Sequence, residues 1–374
     1  MSDIRVKKVE TKAEFRRFIH FPWKIYKSDP NWVPPLLMDV KEKLNVHKHP
    51  FYEHAERDLF LAYRDAEPVG RIAAIEDRYH NEFQNEKIAF FGMYESVNDL
   101  AVAAALLDTV AAWGKERGMD TLRGTVNLSL NDECAFLLDG FDSPPVLMMP
   151  YNPKYYLELM EACGLAKARD LYGFRMLTGD PTPARAQSVM DHAQATLPVT
   201  LRVINMKDLD AEADRIKSIY NRGWVKNWGF VPWTDLEMKH MVKSLSQLAD
   251  PEIVILAEEK DGNPVGFAFG IPNYNEVLIK VNGRLVPFGI FKILLGRRKI
   301  KSVRVPVFGV VPEYRNTGLS FLLFRKIKEN AFRRGYIWAE TGWQLEDNTP
   351  VNQFVMSLGA KLYKKYRLFE RKIS

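Results

Sequence analysis

The apolar positions along this chain change period several times, and each change marks an element. SVRVPVFGV (302–310) is β-branched and reads as a strand. LSFLLFRKIKENAFRRG (319–335) repeats its apolar residues at helical spacing. Between them VPEYRNTGLS (311–320) places Arg315 and Gly318 three residues apart on a tight strand-to-helix turn. LAYRDAEPVGRIAAI (61–75) and LAEEKDGNPVGFAFGI (256–271) each read as a hairpin, two apolar strands around a polar turn, with an Asp261-Gly262 turn signal in the second. The most apolar run, LAVAAALLDTVAAW (100–113), is interrupted by Asp108 and is too short to span a bilayer.

The pattern occurs twice. IRV (4–6) returns as LRV (201–203), NWVPPL (31–36) as GFVPWT (229–234), and Pro68-Val69-Gly70 as Pro264-Val265-Gly266. Phe91-Gly92 matches Phe308-Gly309 and Arg117-Gly118 matches Arg334-Gly335, both at a displacement of 217 with no gap between. Five echoes in one order imply two homologous domains, 1–178 and 199–374. LTGDPTPARAQSVMDHAQAT (177–196) joins them and predicts a linker helix over 179–198 that packs on the surface. The second domain carries about twenty extra residues, within NEVLIKVNGRLVPFGIFKILLGRRKIK (275–301). Each half runs strand, helices, hairpin, strand, long helix, strand, helix, strand pair. That order predicts an α+β (α/β) architecture: two tandem domains, each a mixed, mostly antiparallel sheet flanked by helices.

Composition narrows the class. The 374 residues, 47% hydrophobic and 27% charged, suit two globular domains rather than a disordered chain. The start, MSDIRVKKVE, has no apolar signal segment, and the two cysteines, Cys134 and Cys163, make neither a disulfide framework nor a Cys-rich zinc site. The expectation is a reducing, cytoplasmic setting and no metal. A net charge of +6, taken as spread over the whole chain, reads as a solvated surface rather than a nucleic-acid groove.

The turn at 311–320 has a specific chemistry. A helix N-terminus presents N–H groups with no intrahelical partner, and its dipole favours an anion. Gly318 permits a positive φ and leaves no Cβ in the way of a phosphate. Thr317, Leu319 and Ser320 add N–H groups, and Arg315 adds a guanidinium fork. The loop therefore reads either as a diphosphate cradle or as a plain turn whose arginine faces water. It is neither a Walker loop nor a GxGxxG fingerprint.

VVPEYRNTGLS resembles the acyl-CoA signature of the GNAT superfamily of N-acyltransferases, Arg/Gln-x-x-Gly-x-Gly/Ala, with Arg315, Gly318 and Ser320 at the marked positions. The Arg-Arg-Gly helix end and EDNTPVNQFVMSLGAKLYKKYRLFER (346–371) suit that family too, so the resemblance covers 199–374, and the weaker copy in 1–178 makes a tandem-domain member. It implies acetyl-CoA or another acyl-CoA as donor. The N–H groups of Arg315, Asn316, Thr317, Gly318, Leu319 and Ser320 would hold its pyrophosphate. Phe308, Gly309 and Val310 would pair with the pantetheine arm, and Asn348 would touch it or cap the following helix. A small-molecule or peptide amine would then attack the thioester directly.

The two halves differ at this loop. Aligned without gaps, Arg315 falls on Asn98, Gly318 on Ala101 and Ser320 on Ala103, and ESVND (95–99) brings Glu95 and Asp99 to the helix start, with Ser96 and Asp99 as an approximate capping box. One donor site, in the second half, is expected. For the base, Glu340 on YIWAETGWQ (336–344) is the candidate, on the face of Trp338; a surface salt bridge is the competing reading. The family's usual tyrosine is replaced by Val355; Tyr363 or Tyr366 on the closing strands could reach in as acid, with packing the favoured reading of each. Trp224, Trp228, Phe230 and Trp233, like Trp23, Tyr26 and Trp32 in the first half, either pack or wall an acceptor pocket. The apolar-then-basic insertion suits a lid, a homodimer contact or a membrane-surface patch, the first two being favoured. The rival functions are a non-catalytic acyl-CoA-binding module and an aminoacyl transferase using charged tRNA.

Overall fold

The computed structural model describes residues 3–225 and 227–373. The chain forms two compact units. Unit 1 comprises Met1–Leu171, Val277–Leu295 and Lys364–Ser374; unit 2 comprises Tyr172–Glu276 and Gly296–Tyr363. Their borders differ from those of the two homologous halves for two reasons that the topology shows.

In unit 1 the strands are β1 (Ile4–Lys8), β2 (Ala55–Arg64), β3 (Glu67–Asp77), β4 (Ile88–Ser96) and β5 (Thr121–Gly124). The first four pair antiparallel in sequence order, and β5 joins β4 in parallel. Beyond β5 lies the end of the chain's last strand, β13 (Lys361–Lys372), antiparallel from Phe369–Gly124 to Lys372–Thr121; it also pairs with β6 (Phe136–Asp139). Unit 2 repeats this plan with β8 (Val199–Val203), β9 (Val254–Glu259), β10 (Pro264–Pro272), β11 (Ser302–Val310) and β12 (Trp338–Leu345). Again the first four are antiparallel neighbours and the fifth is parallel to the fourth. Here the place beyond β12 is taken by β7 (Ala166–Leu177), whose end from Tyr172 belongs to unit 2. Each half thus gives its last strand to the other half's sheet. The second difference is the insertion: Val277–Leu295, nineteen residues by its numbering, leaves the second half's sequence and joins unit 1.

The repeated Pro-Val-Gly has a packing reason. A Cβ on Gly70 would lie 2.7 Å from Leu106 of the helix Leu100–Lys115, and one on Gly266 would lie 3.0 Å from Leu323 of the helix Leu319–Arg333. Glycine lets the long helix approach the hairpin in both units. The first of these helices carries Val102, Ala103, Leu106, Leu107 and Val110 into the unit 1 core, as its apolar run requires.

The linker forms a helix, Ala184–Thr196, within unit 2. It buries Ala186, Met190 and Ala193. It is tied to the helix Leu319–Arg333 by Arg325–Asp191 at 3.1 Å. Among the described residues no helix is long and apolar enough to cross a membrane.

Candidate active site

The site is built where two strands part. β11 pairs with β12 only from Ser302–Trp338 to Val305–Thr341, although both strands run on. Pro306 follows at once and has no N–H to give. A register shift against β10 falls at the same place. On the other edge the pairing continues: Gly309 lies opposite Phe267, and Val311 N–H donates to Val265 C=O at 2.9 Å. Alternation along an antiparallel ladder then turns the N–H and C=O of Phe308 and Val310 away from β10, towards the opening. Gly309 faces an indole: a Cβ there would overlap the Trp224 ring.

The loop after β11 ends in a left-handed Gly318, φ +91°, at the N-cap of Leu319–Arg333, and Asn316 is left-handed too, φ +62°. The Thr317 hydroxyl donates to Tyr314 C=O at 2.8 Å and accepts from Leu319 N–H at 3.4 Å, so that N–H is already used. Among the described residues, no hydrogen bond is found for the N–H groups of Asn316, Thr317, Gly318 and Ser320. Unused N–H groups at a helix start are what an anion nest draws on. Gly318 serves a second purpose that its sequence position does not reveal. A Cβ on it would lie 2.7 Å from the Ala193 Cβ, so the linker helix packs directly on the loop.

Arg315 is exposed, and its guanidinium donates to Gly223 C=O, the last residue of the helix Leu209–Gly223, at 2.7 Å. Glu313 meets Arg222 at 3.0 Å beside it. The side chain therefore stands at the loop with donors to spare, neither free in water nor buried. Arg315→Ala is expected to weaken acyl-CoA binding about tenfold by calorimetry while the melting temperature changes little, since an exposed contact of this kind contributes about 1 kcal/mol or less.

Glu340 is 0% exposed and lies beside the buried Arg304 in the parallel register. In-register residues share a face, so this pair lies on the face that carries Gly309 and Trp224. Arg304 also donates to Gly342 C=O at 3.1 Å. The surface salt bridge weighed from the sequence is not what the fold builds. Both side chains are buried, next to the point where the strands separate. Asn348 caps the helix Thr349–Ser357, accepting from Val351 N–H at 3.5 Å. One turn on, Asn352 is buried; its amide donates to Leu345 C=O at 3.0 Å and Glu346 C=O at 3.2 Å, which fixes the turn between β12 and this helix. Sequence reasoning passed over it, although a second asparagine four residues after a cap was the available signal. Val355 is buried. Tyr363 is half-buried at the end of unit 2, whereas Tyr366 lies fully buried in unit 1, opposite Leu137.

The aromatic segment converges on a residue that the sequence reading missed. Tyr220 stacks on Trp224 at 4.9 Å and meets Phe230 at 5.4 Å and Trp233 at 6.2 Å. Burial pushes its phenol up to about 12, so it stays protonated. The i, i+4 spacing of Tyr220 and Trp224 on one helix was its sequence signal.

Comparison with known proteins agrees with this geometry. The model of the acetyltransferase (GNAT) family matches residues 213–359. Protein YghO of Escherichia coli (strain K12) is 36% identical over 370 residues, covering 97% of this chain and 94% of its own. A protein of Caulobacter vibrioides (strain NA1000 / CB15N) named bacterial ceramide synthase is 35% identical over 379 residues, covering 99% and 98%. The chain belongs to the GNAT family. It is an acyltransferase of that family, whose members generally draw on acetyl-CoA or another acyl-CoA. A tandem GNAT protein from the clavulanic acid biosynthesis pathway, solved without acetyl-CoA, shares the fold over 100% of this chain and 99% of its own, with a TM-score of 0.59 at 12% identity. Two GNAT-like domains, each a mixed sheet with flanking helices, are thus the architecture.

The GNAT-like sheet of unit 1 shows what happens to the same opening when the chain fills it. Phe91, Gly92 and Met93 correspond to Phe308, Gly309 and Val310. Here Phe91 C=O accepts from Val126 N–H at 2.9 Å, and Met93 N–H donates to the Asn127 side-chain carbonyl at 3.1 Å. A Cβ on Gly92 would overlap the Val126 carbonyl. The segment after β5 has taken the edge. At the helix start, Asp99 accepts from Ala101 N–H at 2.9 Å and Val102 N–H at 3.4 Å, and the hydrogen bond from Arg64 holds its carboxyl below the usual range. Two details differ from the sequence reading. Ser96 donates to Val97 C=O and forms no capping box, and Glu95 is drawn inward, accepting from the Tyr156 hydroxyl at 2.7 Å.

Proposed function

We propose that the protein transfers an acyl group from a CoA thioester to an amine, at one site per chain, built on unit 2. The observation that supports this most directly is that β11 keeps an open edge while the adjoining loop keeps four N–H groups free. An acyl-CoA fits that pair of features. The amides of its pantetheine arm suit the edge at Phe308 and Val310. Its diphosphate suits the N–H groups of Asn316, Thr317, Gly318 and Ser320, with Arg315 alongside. The bound thioester supplies the electrophile: the amine nitrogen forms the new bond to the acyl carbon, the carbon–sulfur bond breaks, and the thiolate takes a proton.

The chain's own groups have little acid–base work to do. A thiol with a pKa near 8–9 leaves without strong acid assistance. Tyr363 is therefore not needed as an acid. Glu340, enclosed beside Arg304, serves better as a fixed charge that holds β11 and β12 together up to their parting than as a base, and the amine gives its proton to water. Asn348 holds the start of its helix beside the opening. Tyr220, Trp224 and Trp233 form the apolar wall against which an acceptor lies.

The named relative suggests the acceptor class. A ceramide is the amide of a long-chain amino alcohol, so we take the primary amine of such a lipid as the acceptor, with the aromatic wall receiving its chain. The test is a thiol-release assay crossing acetyl-CoA and long-chain acyl-CoAs with amino alcohols, small amines and peptides. Release with the long-chain amino alcohol and not with peptides is expected. Calorimetry should give one donor site per chain; two equal sites would sink the assignment of a closed edge to unit 1. Tight donor binding with no thiol release against any acceptor would make the site a binding module.

A further inference from the structure

We propose that the insertion, residues 284–301, is a docking surface for an anionic lipid bilayer. Its helix Gly289–Gly296 turns Gly289 and the half-buried Ile293 inward, and leaves Ile290, Phe291, Leu294 and Leu295 outward and exposed. Just before it, Val286 and Phe288 are 81% and 70% exposed. Scattered surface apolar residues need no explanation, but six in ten consecutive positions form a contiguous patch.

The patch is held in place rather than loose. In unit 1, Trp23 Nε1 donates to Asn282 Oδ1 at 2.7 Å, and Leu37 N–H donates to Gly283 C=O at 3.0 Å. Where the insertion returns to β11, Ser302 Oγ and Lys301 N–H both donate to Glu276, at 2.5 and 3.0 Å. An apolar patch fixed in this way is built to be covered by something.

Charge says by what. From Val277 to Lys301 the chain has seven basic residues and no acidic one, more than the whole protein's net +6. The excess is therefore concentrated here, contrary to its reading as a general surface excess. Arg284 and Lys292 are exposed among the apolar residues, and Arg297, Arg298 and Lys299, also exposed, follow them at once in the sequence. Apolar side chains flanked by such cations suit the boundary between acyl chains and anionic headgroups. A second copy of this chain would bring the two basic clusters together and be repelled. Among the described residues no helix is long and apolar enough to cross a membrane.

Vesicle flotation of the full chain tests this, with no acyl donor or acceptor present, so its outcome does not depend on the proposed reaction. Vesicles of phosphatidylcholine with about a third phosphatidylglycerol should carry the protein up, and pure phosphatidylcholine roughly tenfold less. Phe288→Ser with Phe291→Ser and Leu295→Ser should weaken flotation at least about tenfold without lowering the melting temperature, because the replaced side chains are exposed. Arg297→Glu with Arg298→Glu should abolish the preference for anionic vesicles. The proposal is overturned if the wild type floats with neither vesicle or if the serine variant floats as well as the wild type. It is also overturned if sedimentation shows a wild-type dimer that the serine variant dissolves.

Discussion

Gly318→Asp is expected to lower acyl-CoA affinity by about 10² or more, while Ala101→Asp, its counterpart in the first half, leaves affinity unchanged. Three effects combine at Gly318. A φ of +91° is strained for any residue with a Cβ, at about 1–3 kcal/mol. The Cβ would meet Ala193 of the linker helix at 2.7 Å. The carboxylate would then compete for the N–H groups at the helix start, as Asp99 does in unit 1, and repel an arriving diphosphate. Ala101 is exposed in the first turn of a helix whose end is already capped, where a further negative charge is harmless. Gly318→Ala separates charge from packing: it should cost stability but keep donor binding within about tenfold, and Ala193→Gly should restore part of that stability. If the alanine variant loses binding as completely as the aspartate one, the loop is a packing device and the anion nest is wrong.

Arg304→Met should destabilise the protein by about 3–5 kcal/mol in denaturant titration, because it leaves the buried Glu340 carboxylate without the cation beside it. Glu340→Gln should cost somewhat less, since it keeps the shape of the buried side chain and leaves the hydrogen bond from Arg304 to Gly342 C=O in place. Replacing both with apolar residues should be milder than the arginine change alone, which is the sign of a coupled pair. Turnover per folded molecule should hold in Glu340→Gln. A variant that folds like the wild type and loses about 10² in turnover would instead make this carboxylate the general base.

The geometry of the loop at 311–320 was legible in the sequence because its chemistry is local. A positive φ, a helix N-terminus and an arginine three residues before a glycine all lie within a few positions, and local backbone rules are enough to join them. The two-domain repeat was legible for a similar reason: Pro-Val-Gly recurs because each unit needs its long helix close to its hairpin, and Phe-Gly because something packs where a Cβ would stand, the Val126 carbonyl at Gly92 and the Trp224 ring at Gly309. The burial of Glu340 was not legible because the alternation of one strand shows which residues share a face, and not what the neighbouring strand puts beside them. Tyr220 was passed over because a tyrosine at helical spacing looks like any other until the segment after its helix folds back on it.

By itself, then, the chain's residue order determined the tandem plan, the kind of sheet and the place where a diphosphate could sit, since all three follow from short-range periodicity and turn chemistry. Only the tertiary structure decided three other matters. It gave each half's last strand to the other half's sheet, closed the unit 1 edge with Val126 and Asn127, and carried Val277–Leu295 over to unit 1. A strand's hydrogen-bonding edge accepts any backbone of suitable register. Which segment fills it depends on what the rest of the chain brings near, and no local pattern records that.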